Sequence, residues 1–228
     1  MKKSAFTLAE VLITIGIVGV VAAMTMPSII NKVNEYILKQ EFKRAYNIMQ
    51  NAQVRIYADI ESYYNCYYIT NTINTTQTKQ FECKTMGEHL KKILNPVIIC
   101  DGDAYNKGCI PKYKGVDNVA LENNPDIDLE GINRNCPGFT QDSILNKNLT
   151  WVLQDGTIIS WYKYNASYGP LLFLDINGKK QPNRWGYDLF PMIWRGDETR
   201  VWLDADGVCS YAEKGGKTSK QMLQDIWK

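Results

Sequence analysis

Few side chains in this chain of 228 residues are of a type and spacing that could catalyse a reaction. The single histidine, His89, has no serine or cysteine motif beside it, and the G-x-S-x-G, Walker and G-x-G-x-x-G patterns do not occur. Two close pairs of carboxylates, at 126 and 128 and at 204 and 206, fall in turn-like segments. We expect His89 to be a surface residue of a short helix at 87–94, and we predict that the protein is not an enzyme.

The six cysteines favour disulfide bonds over metal binding. Zinc sites built from four cysteines usually contain close pairs, and this sequence has no C-x-x-C, so no metal centre is predicted from them. Cys100 and Cys109 flank a turn-like segment, DGDAYNKG, and are the favoured local pair. The pairing of the others, at 66, 83, 136 and 209, is left open by the sequence.

One polar segment, DINGKKQPNRWGYD at 175–188, carries oxygen donors that could hold a hard cation. Asp175, Asn177 and Asp188 are candidate ligands for Ca²⁺, which prefers carboxylate and carbonyl oxygens. Lys179 stands where an EF-hand has an oxygen ligand, so the segment is not an EF-hand. Two interpretations stay open: a calcium site, or a rigid turn held by hydrogen bonds from the backbone to Asp and Asn side chains.

The strongest pattern in the sequence is an apolar run close to its start. Residues 11–30 include no charged side chain, and about 20 residues of helix rise about 30 Å, the thickness of a bilayer's hydrocarbon core. We therefore predict a membrane-spanning helix. Lys2 and Lys3 precede it, which predicts a cytoplasmic N-terminus and places the cysteines outside the cytoplasm, where disulfides form.

The charge of the chain does not indicate a nucleic-acid partner. Its formal net charge is +2, and Lys2 and Lys3 account for both units. The remaining acidic and basic side chains balance, so no overall attraction to a polyanion is expected.

The position of a small residue, Ala5, distinguishes this N-terminus from an ordinary secretory signal, in which the cleavage site follows the apolar core. A cut after Ala5 would remove a short basic leader and keep the helix on the mature chain. The segment AFTLAEVL, residues 5–12, resembles the prepilin signal of type IV pilins and type II secretion pseudopilins, G-F-T-L-I-E-L. The resemblance covers about the first thirty residues, and Ala5 replaces the usual glycine of the family.

This resemblance implies a processing reaction and a set of partners. A prepilin peptidase would cut the bond between Ala5 and Phe6 and N-methylate Phe6, and Pro27 would match a proline found well inside the family's helix. Independently of the family, Pro27 removes one backbone hydrogen bond and should kink the helix or let it melt locally. The implied partners are the prepilin peptidase, the inner membrane, identical or related pilin subunits and, indirectly, an assembly ATPase. The implied location is the bacterial inner membrane before assembly, and then a periplasmic pseudopilus or an extracellular pilus.

Glu10 is the one charged residue between Ala5 and Ile30. An isolated carboxylate in a membrane helix is costly, so it should have a partner or a task. In one interpretation, Glu10 neutralises the new amine on Phe6 of a neighbouring subunit and fixes the axial register of a helical assembly. In the other, Glu10 lies at the cytoplasmic interface and supports the N-terminus of its own helix.

The rest of the chain predicts an α+β, pilin-like fold: a long N-terminal helix, half membrane-spanning and half amphipathic, packed on a C-terminal antiparallel sheet. Apolar residues at helical spacing continue from Val33 to Ile56. The predicted order is a leader at 1–5, a transmembrane and assembly helix at 6–30, its amphipathic continuation at 31–60, a variable cysteine-containing insert at 61–138, and a β-rich part of the globular head at 139–228. We expect cysteines, not a large core, to hold the insert.

Three or four strands are predicted in the β-rich part. Segments 149–153 and 157–162 predict a hairpin with a type I′ turn at Asp155-Gly156, and segments 171–176 and 199–203 predict further strands. The expected core aromatics are Trp151, Trp161, Phe173 and Trp202.

Two functions are compatible with these patterns. The first is a structural subunit of a pilus or pseudopilus filament, processed by prepilin peptidase and assembled through its N-terminal helix. The alternative is a membrane-tethered binding or adhesion module that retains an uncut N-terminal anchor.

Overall fold

Helix α1 comprises the 53 residues Leu8–Ile60 in a computed structural model of the protein. The structure describes residues 7–60, 65–67, 80–161, 171–196, 201–204 and 209–227. The chain divides into two units, Met1–Leu38 and Lys39–Lys228, and α1 contributes to both. The helix continues through Pro27 without a break.

The part of α1 in the second unit is amphipathic. Its buried stripe comprises Phe42, Ala45, Met49, Ala52 and Ile56, which recur every three or four residues and are each at most 3% exposed. The Phe42 ring meets that of Phe190 edge-on, with the ring centroids 4.7 Å apart. The prediction that this stripe begins at Val33 is wrong, because Val33 is 50% exposed and belongs to the first unit.

A six-stranded antiparallel sheet forms the centre of the second unit, with its strands in sequence order. A two-stranded parallel pair, β1 (Asn65–Tyr67) and β2 (Gln80–Glu82), precedes it. The six strands are β3 (Ile98–Asp101), β4 (Leu149–Val152), β5 (Ile158–Trp161), β6 (Leu171–Asp175), β7 (Leu189–Gly196) and β8 (Val201–Asp204).

Four shorter helices accompany the strands in the described residues. They are α2 (Cys83–Leu94), α3 (Val116–Asn123), α4 (Leu129–Asn135) and α5 (Ser219–Ile226), with a 3₁₀ turn at Pro137–Phe139 and a π-helical turn at Ser143–Lys147. The predicted α+β fold, with a long N-terminal helix packed on an antiparallel sheet, is confirmed.

Two strands of the sheet were not predicted, which corrects the expected three or four strands to six. β3 lies in the segment assigned to the insert. β7 contains Pro191, which pairs with Phe173 in the interior of the strand. Proline donates no ladder hydrogen bond and normally argues against a central strand. Its carbonyl oxygen instead accepts a bond from Ser219 Oγ at 2.7 Å, which attaches α5 to the sheet.

The hairpin between β4 and β5 is confirmed, but its predicted type I′ turn is wrong. That turn needs positive φ at both central residues. Here only Gly156 has positive φ within the loop, at 90°, while Gly156 N donates to Leu153 O at 3.0 Å and Leu153 N donates to Thr157 O at 2.9 Å. This is the three-residue hairpin loop, a type I turn closed by a glycine bulge.

Both faces of the sheet are covered. Successive strand residues point to opposite faces, so Ile158 and Phe173 belong to one buried cluster while Phe190 meets α1 on the other side. Of the expected core aromatics, Trp151, Trp161 and Phe173 are at most 4% exposed. The Trp202 side chain lies outside the described part of the chain.

The middle segment contributes directly to the main core, so the expectation that cysteines alone hold it is wrong. Tyr113, Val116 and Val119 are at most 1% exposed and belong to the same cluster as Phe173. The predicted Cys100–Cys109 bond is confirmed, and a second bond joins Cys136 to Cys209. The side chains of Cys66 and Cys83 lie outside the described residues.

Candidate functional site

The N-terminus of α1 is held by a reciprocal pair of side chains. Thr7 Oγ1 accepts a hydrogen bond from Glu10 N at 3.3 Å. Glu10 Oε2 accepts bonds from Thr7 N and from Thr7 Oγ1, each at 2.8 Å. This is a capping box, which satisfies two N–H groups at the start of the helix. Ala5 and Phe6 lie outside the described residues, so the cleavage site and the Glu10 contact with a neighbour stay predictions.

The first part of α1 exposes an apolar surface on every side. Leu8 is 80% exposed, Leu12 64%, Ile15 65% and Met24 76%. An 18-residue window of the helix has a mean hydropathy of 2.2 and none of it is buried. By length and composition α1 can therefore cross a membrane, and an apolar surface of this extent normally marks a contact with lipid or protein.

Two glycines and Pro27 lie within this apolar part of α1. A Cβ atom added to Gly16 or Gly19 would meet nothing within 4 Å, so the chain's own fold does not require glycine there. Small residues in membrane helices allow other helices to approach closely. Because proline has no N–H, Pro27 leaves the carbonyl of Ala23 without its helical hydrogen bond. The Thr25 hydroxyl does not replace this bond, because Thr25 Oγ1 donates to Val21 O at 2.9 Å. The predicted kink at Pro27 stays a prediction.

Arg44 joins the second half of α1 to two turns of the sheet. Its Nη2 donates to Ile176 O at 3.1 Å and to Thr157 Oγ1 at 3.4 Å. Its Nε lies 3.5 Å from Asp155 Oδ2. A guanidinium is suited to such bonding because its donors form a fixed fork. Arg44 thus ties the helix to the β4–β5 turn and to the loop after β6.

The loop between β6 and β7, residues 175–188, is closed by its two terminal carboxylates. Asp175 accepts bonds from Tyr113 Oη and, at 3.2 Å, from Asn177 N. Asp188 accepts bonds from Asn183 N and Arg184 N, each at 2.6 Å. Both aspartates are 0% exposed. The sequence therefore forms a rigid turn in which buried carboxylates hold the loop backbone.

Burial shifts the acidity of these groups. It raises the pKa of Asp188 from 3.8 to about 6, against the lowering effect of the loop N–H donors. It also raises the pKa of Asp175 well above its usual value, and the nearby Asp188 charge adds to this. Burial and then Asp175 raise the pKa of Tyr113 well above 10. Desolvation disfavours the charged form of each group.

Glu213 attaches a C-terminal segment to the same loop. Its carboxylate is 6% exposed and accepts bonds from Arg184 Nε at 2.9 Å and from Trp185 N at 3.2 Å. Lys114 Nζ lies 3.8 Å from it. The Trp185 ring is buried, and its Nε1 donates to Lys114 O at 2.6 Å. The loop, the segment before α3 and the C-terminal segment are thus bonded together.

Glycine is required at two positions of this loop. Gly178 has a φ of 70°, and a Cβ there would lie 2.3 Å from Gly156 O. Gly186 has a φ of 83°, and a Cβ there would lie 2.7 Å from Ala212 Cβ and 2.8 Å from Lys217 O. L side chains rarely adopt such positive φ.

We expect Gly186→Ala to destabilise the fold by about 1–3 kcal/mol, because it adds backbone strain and a clash. Chemical denaturation of the full chain in detergent would measure this. Gly87→Ala is the matched control: a Cβ at Gly87, within α2, meets nothing within 4 Å. That change should stabilise by about 0.5–1 kcal/mol through helix propensity. Equal effects of the two changes would contradict the role given to Gly186.

Hydrogen bonds within this loop compete with calcium for the two carboxylates. The carboxylates of Asp175 and Asp188 already accept N–H and O–H donors. Asn177 Nδ2 donates to Gln181 O at 3.3 Å, while Asn177 Oδ1 is buried without a hydrogen-bond partner. Among the described residues, no group of three or more His, Cys, Asp or Glu side chains is placed to hold a metal. These bonds favour the rigid turn, and calcium binding stays a prediction.

The structure describes some of the residues weighed as catalysts. His89 lies on a helix, as predicted, but α2 begins at Cys83 and not at residue 87, and the side chain is half-buried where a surface position was expected. Asp128 caps α4 by accepting a bond from Gly131 N at 3.0 Å. Asp206 lies outside the described residues.

Four residues of the site were not predicted from the sequence: Thr7, Arg44, Tyr113 and Glu213. A signal for Thr7 was present, since T-x-x-E before an apolar run is a capping-box pattern. The others act over long separations, such as the 62 residues between Tyr113 and Asp175, and no local pattern marks them.

A long N-terminal helix, apolar at its start and packed through its second half on an antiparallel sheet, is compatible with a pilin-like fold. No family model, no curated protein and no solved structure matches the chain.

Proposed function

We propose that this protein is a structural subunit of a pilus or pseudopilus filament. The observation that carries the proposal is the segment AFTLAEVL at the start of a helix whose first part is apolar and exposed on all sides. A helix of this kind needs lipid before assembly and other helices after it. The protein does no chemistry in this role; a prepilin peptidase cuts the bond between Ala5 and Phe6 and methylates the new amine.

The structure of the second unit supports the same role. Its disulfides, buried core and bonded loop make a stable head, which suits a domain displayed outside the cytoplasm. We place the protein in the inner membrane before assembly, and then in a periplasmic pseudopilus or an extracellular pilus. Its proposed partners are the peptidase, related or identical subunits and, indirectly, an assembly ATPase.

The intact mass of the mature protein tests the processing step. We expect a mass that lacks residues 1–5 and carries one added methyl group when the chain is expressed with a prepilin peptidase. The same chain expressed without the peptidase is the control and should keep its leader. Ala5→Gly, which restores the family's usual residue, should be cut at least as completely as the original. An uncut chain in the presence of an active peptidase would contradict the proposal and favour a membrane-tethered binding or adhesion module.

A further inference from the structure

Strand β3 lies at one edge of the six-stranded sheet and exposes apolar side chains there. In the described part of the chain it pairs with β4 alone, so its outer edge has no strand beside it. Val97, which precedes the strand, is 58% exposed, Ile98 is 45% exposed and Ile99 40%. Native edges usually carry charged side chains, because unpaired N–H and C=O groups can pair with another chain. This edge instead presents three apolar residues in a row.

The direction of the backbone groups shows which of them are open. Gly102 N, just after β3, donates to Asn148 O at 3.1 Å and so faces the β4 side. In an antiparallel pair, the N–H and C=O groups of successive residues face alternate sides. Residues 98 and 100 therefore bond towards β4, and the N–H and C=O of Ile99 face away from it. Ile99 is the centre of the open edge.

Both ends of this open stretch are closed by the chain itself. Pro96 has no N–H to offer at the first end. At the other end, Lys107 Nζ donates to Asp101 O at 3.1 Å and to Gly102 O at 2.9 Å. An added strand could therefore pair only with residues 97–100, so a partner must be short at this point or must match the same length.

The two ends also differ in charge. Before the open stretch, the last turn of α2 carries Lys91 and Lys92, both exposed, and no acid. After it come Asp101 and Asp103, with one cation, Lys107, bonded to backbone oxygens beside them. A segment with the same charges running in the opposite direction would be attracted at both ends. A second copy of β3, placed antiparallel, is such a segment.

We propose that the edge of β3 is a docking surface for β3 of a second copy of this chain, paired antiparallel about a two-fold axis at Ile99. In that register the two copies of Ile99 exchange two N–H···O bonds, and their side chains form a cross-strand apolar pair. The Asp101 end of each copy meets the Lys91 and Lys92 end of the other. The contact is self-complementary, as a two-fold interface must be.

The contact is small, because only residues 97–100 and the charges beside them take part. Interfaces that bury less than about 1,200 Å² are typical of weak, transient complexes. We therefore expect a reversible dimer that forms as the protein concentration rises. The proposal does not depend on filament assembly or on removal of the leader.

Amide hydrogen exchange of the full chain in detergent, at increasing protein concentration, tests the centre of the contact. We expect the Ile99 amide to exchange at least about tenfold more slowly in concentrated than in dilute protein, because its N–H becomes bonded. The Cys100 amide, which faces β4, is the internal reference and should be protected at every concentration.

Two lysine substitutions supply the matched comparison. In Ile99→Lys the amide at this position should exchange rapidly at every concentration, because a lysine on an edge strand opposes pairing. Leu121→Lys, on α3, replaces a side chain that is also 40% exposed. It should leave the concentration dependence of the Ile99 amide unchanged.

An exchange of charges tests whether the partner is a second copy. Asp101→Lys alone, and Lys91→Glu together with Lys92→Glu, should each weaken self-association by about tenfold, because like charges then meet at both ends. An equal mixture of these two variants should recover it, since opposite charges meet at both ends of the mixed pair.

Four results would overturn the proposal. They are an Ile99 amide that exchanges rapidly at every concentration, the original concentration dependence in Ile99→Lys, and a mixture that associates no better than its two components. The fourth is an Ile99 amide that is protected even in dilute protein, which would show that detergent or another part of the chain covers the edge.

Discussion

Glu10→Gln is expected to leave the protein inserted in the membrane but to abolish its assembly into filaments. Gln at the third helical position keeps the capping box with Thr7, since Glu and Gln both serve there. It removes only the negative charge that would neutralise the Phe6 amine of a neighbour. Membrane fractionation would show insertion, and electron microscopy of sheared fractions would show whether filaments form.

Thr7→Ala is the matched control for this prediction. It removes the side chain that bonds to Glu10 but retains the Glu10 charge. Loss of a capping side chain costs about 1 kcal/mol of helix stability, which a long helix can tolerate. We expect this variant to assemble. Filaments from Glu10→Gln together with none from Thr7→Ala would show that Glu10 acts in its own helix, and the register role would then be wrong.

Removal of the Cys136–Cys209 bond, by changing both residues to Ala, should have the largest effect on the stability of the second unit. The two cysteines are 73 residues apart, and a loop of that length gives about 4 kcal/mol in the chain-entropy account of disulfides. The bond also fastens the C-terminal segment beside α4, close to the point where Glu213 meets the loop. Denaturant unfolding of the full chain under non-reducing conditions would measure the loss.

The Cys100–Cys109 bond supplies the comparison within the same protein. Its cysteines are 9 residues apart, so the same account gives about 3 kcal/mol. Both cysteine pairs are at most 5% exposed, so burial differs little between them. A greater loss on removal of the shorter bond would contradict the loop-length argument and would point to contacts of β3 as the cause.

The fold was predictable where the signal is local. The apolar run of α1, the Asp155-Gly156 hairpin and the turn between Cys100 and Cys109 each lie within one short segment. β7 was hidden because Pro191 argues against a central strand, and the bond from Ser219 that stabilises this proline comes from α5. The type of hairpin turn depends on which residues take positive φ. The pair Asp-Gly fits both a two-residue loop and a three-residue loop, so the sequence did not decide between these turns.

The candidate site was likewise predictable only where its signal is local. Glu10 and the Asp175 to Asp188 motif are visible in the sequence, because their spacing is fixed along the chain. The partners of that motif are not, since Tyr113 and Glu213 reach it only once the sheet has formed. The motif alone left calcium and a rigid turn both open. The hydrogen-bond donors on the two carboxylates, which are backbone N–H groups and the Tyr113 hydroxyl, favour the turn.

A structure of assembled filaments determined by electron cryomicroscopy tests the central proposal most directly. The distance that matters joins the Phe6 amine of one subunit to the Glu10 carboxylate of its neighbour. We predict mature subunits that begin at Phe6, packed through their N-terminal helices, with that distance within about 4 Å, the usual range of an ion pair. Filaments that lack this protein, or in which Glu10 contacts only Thr7 of its own chain, would contradict the account.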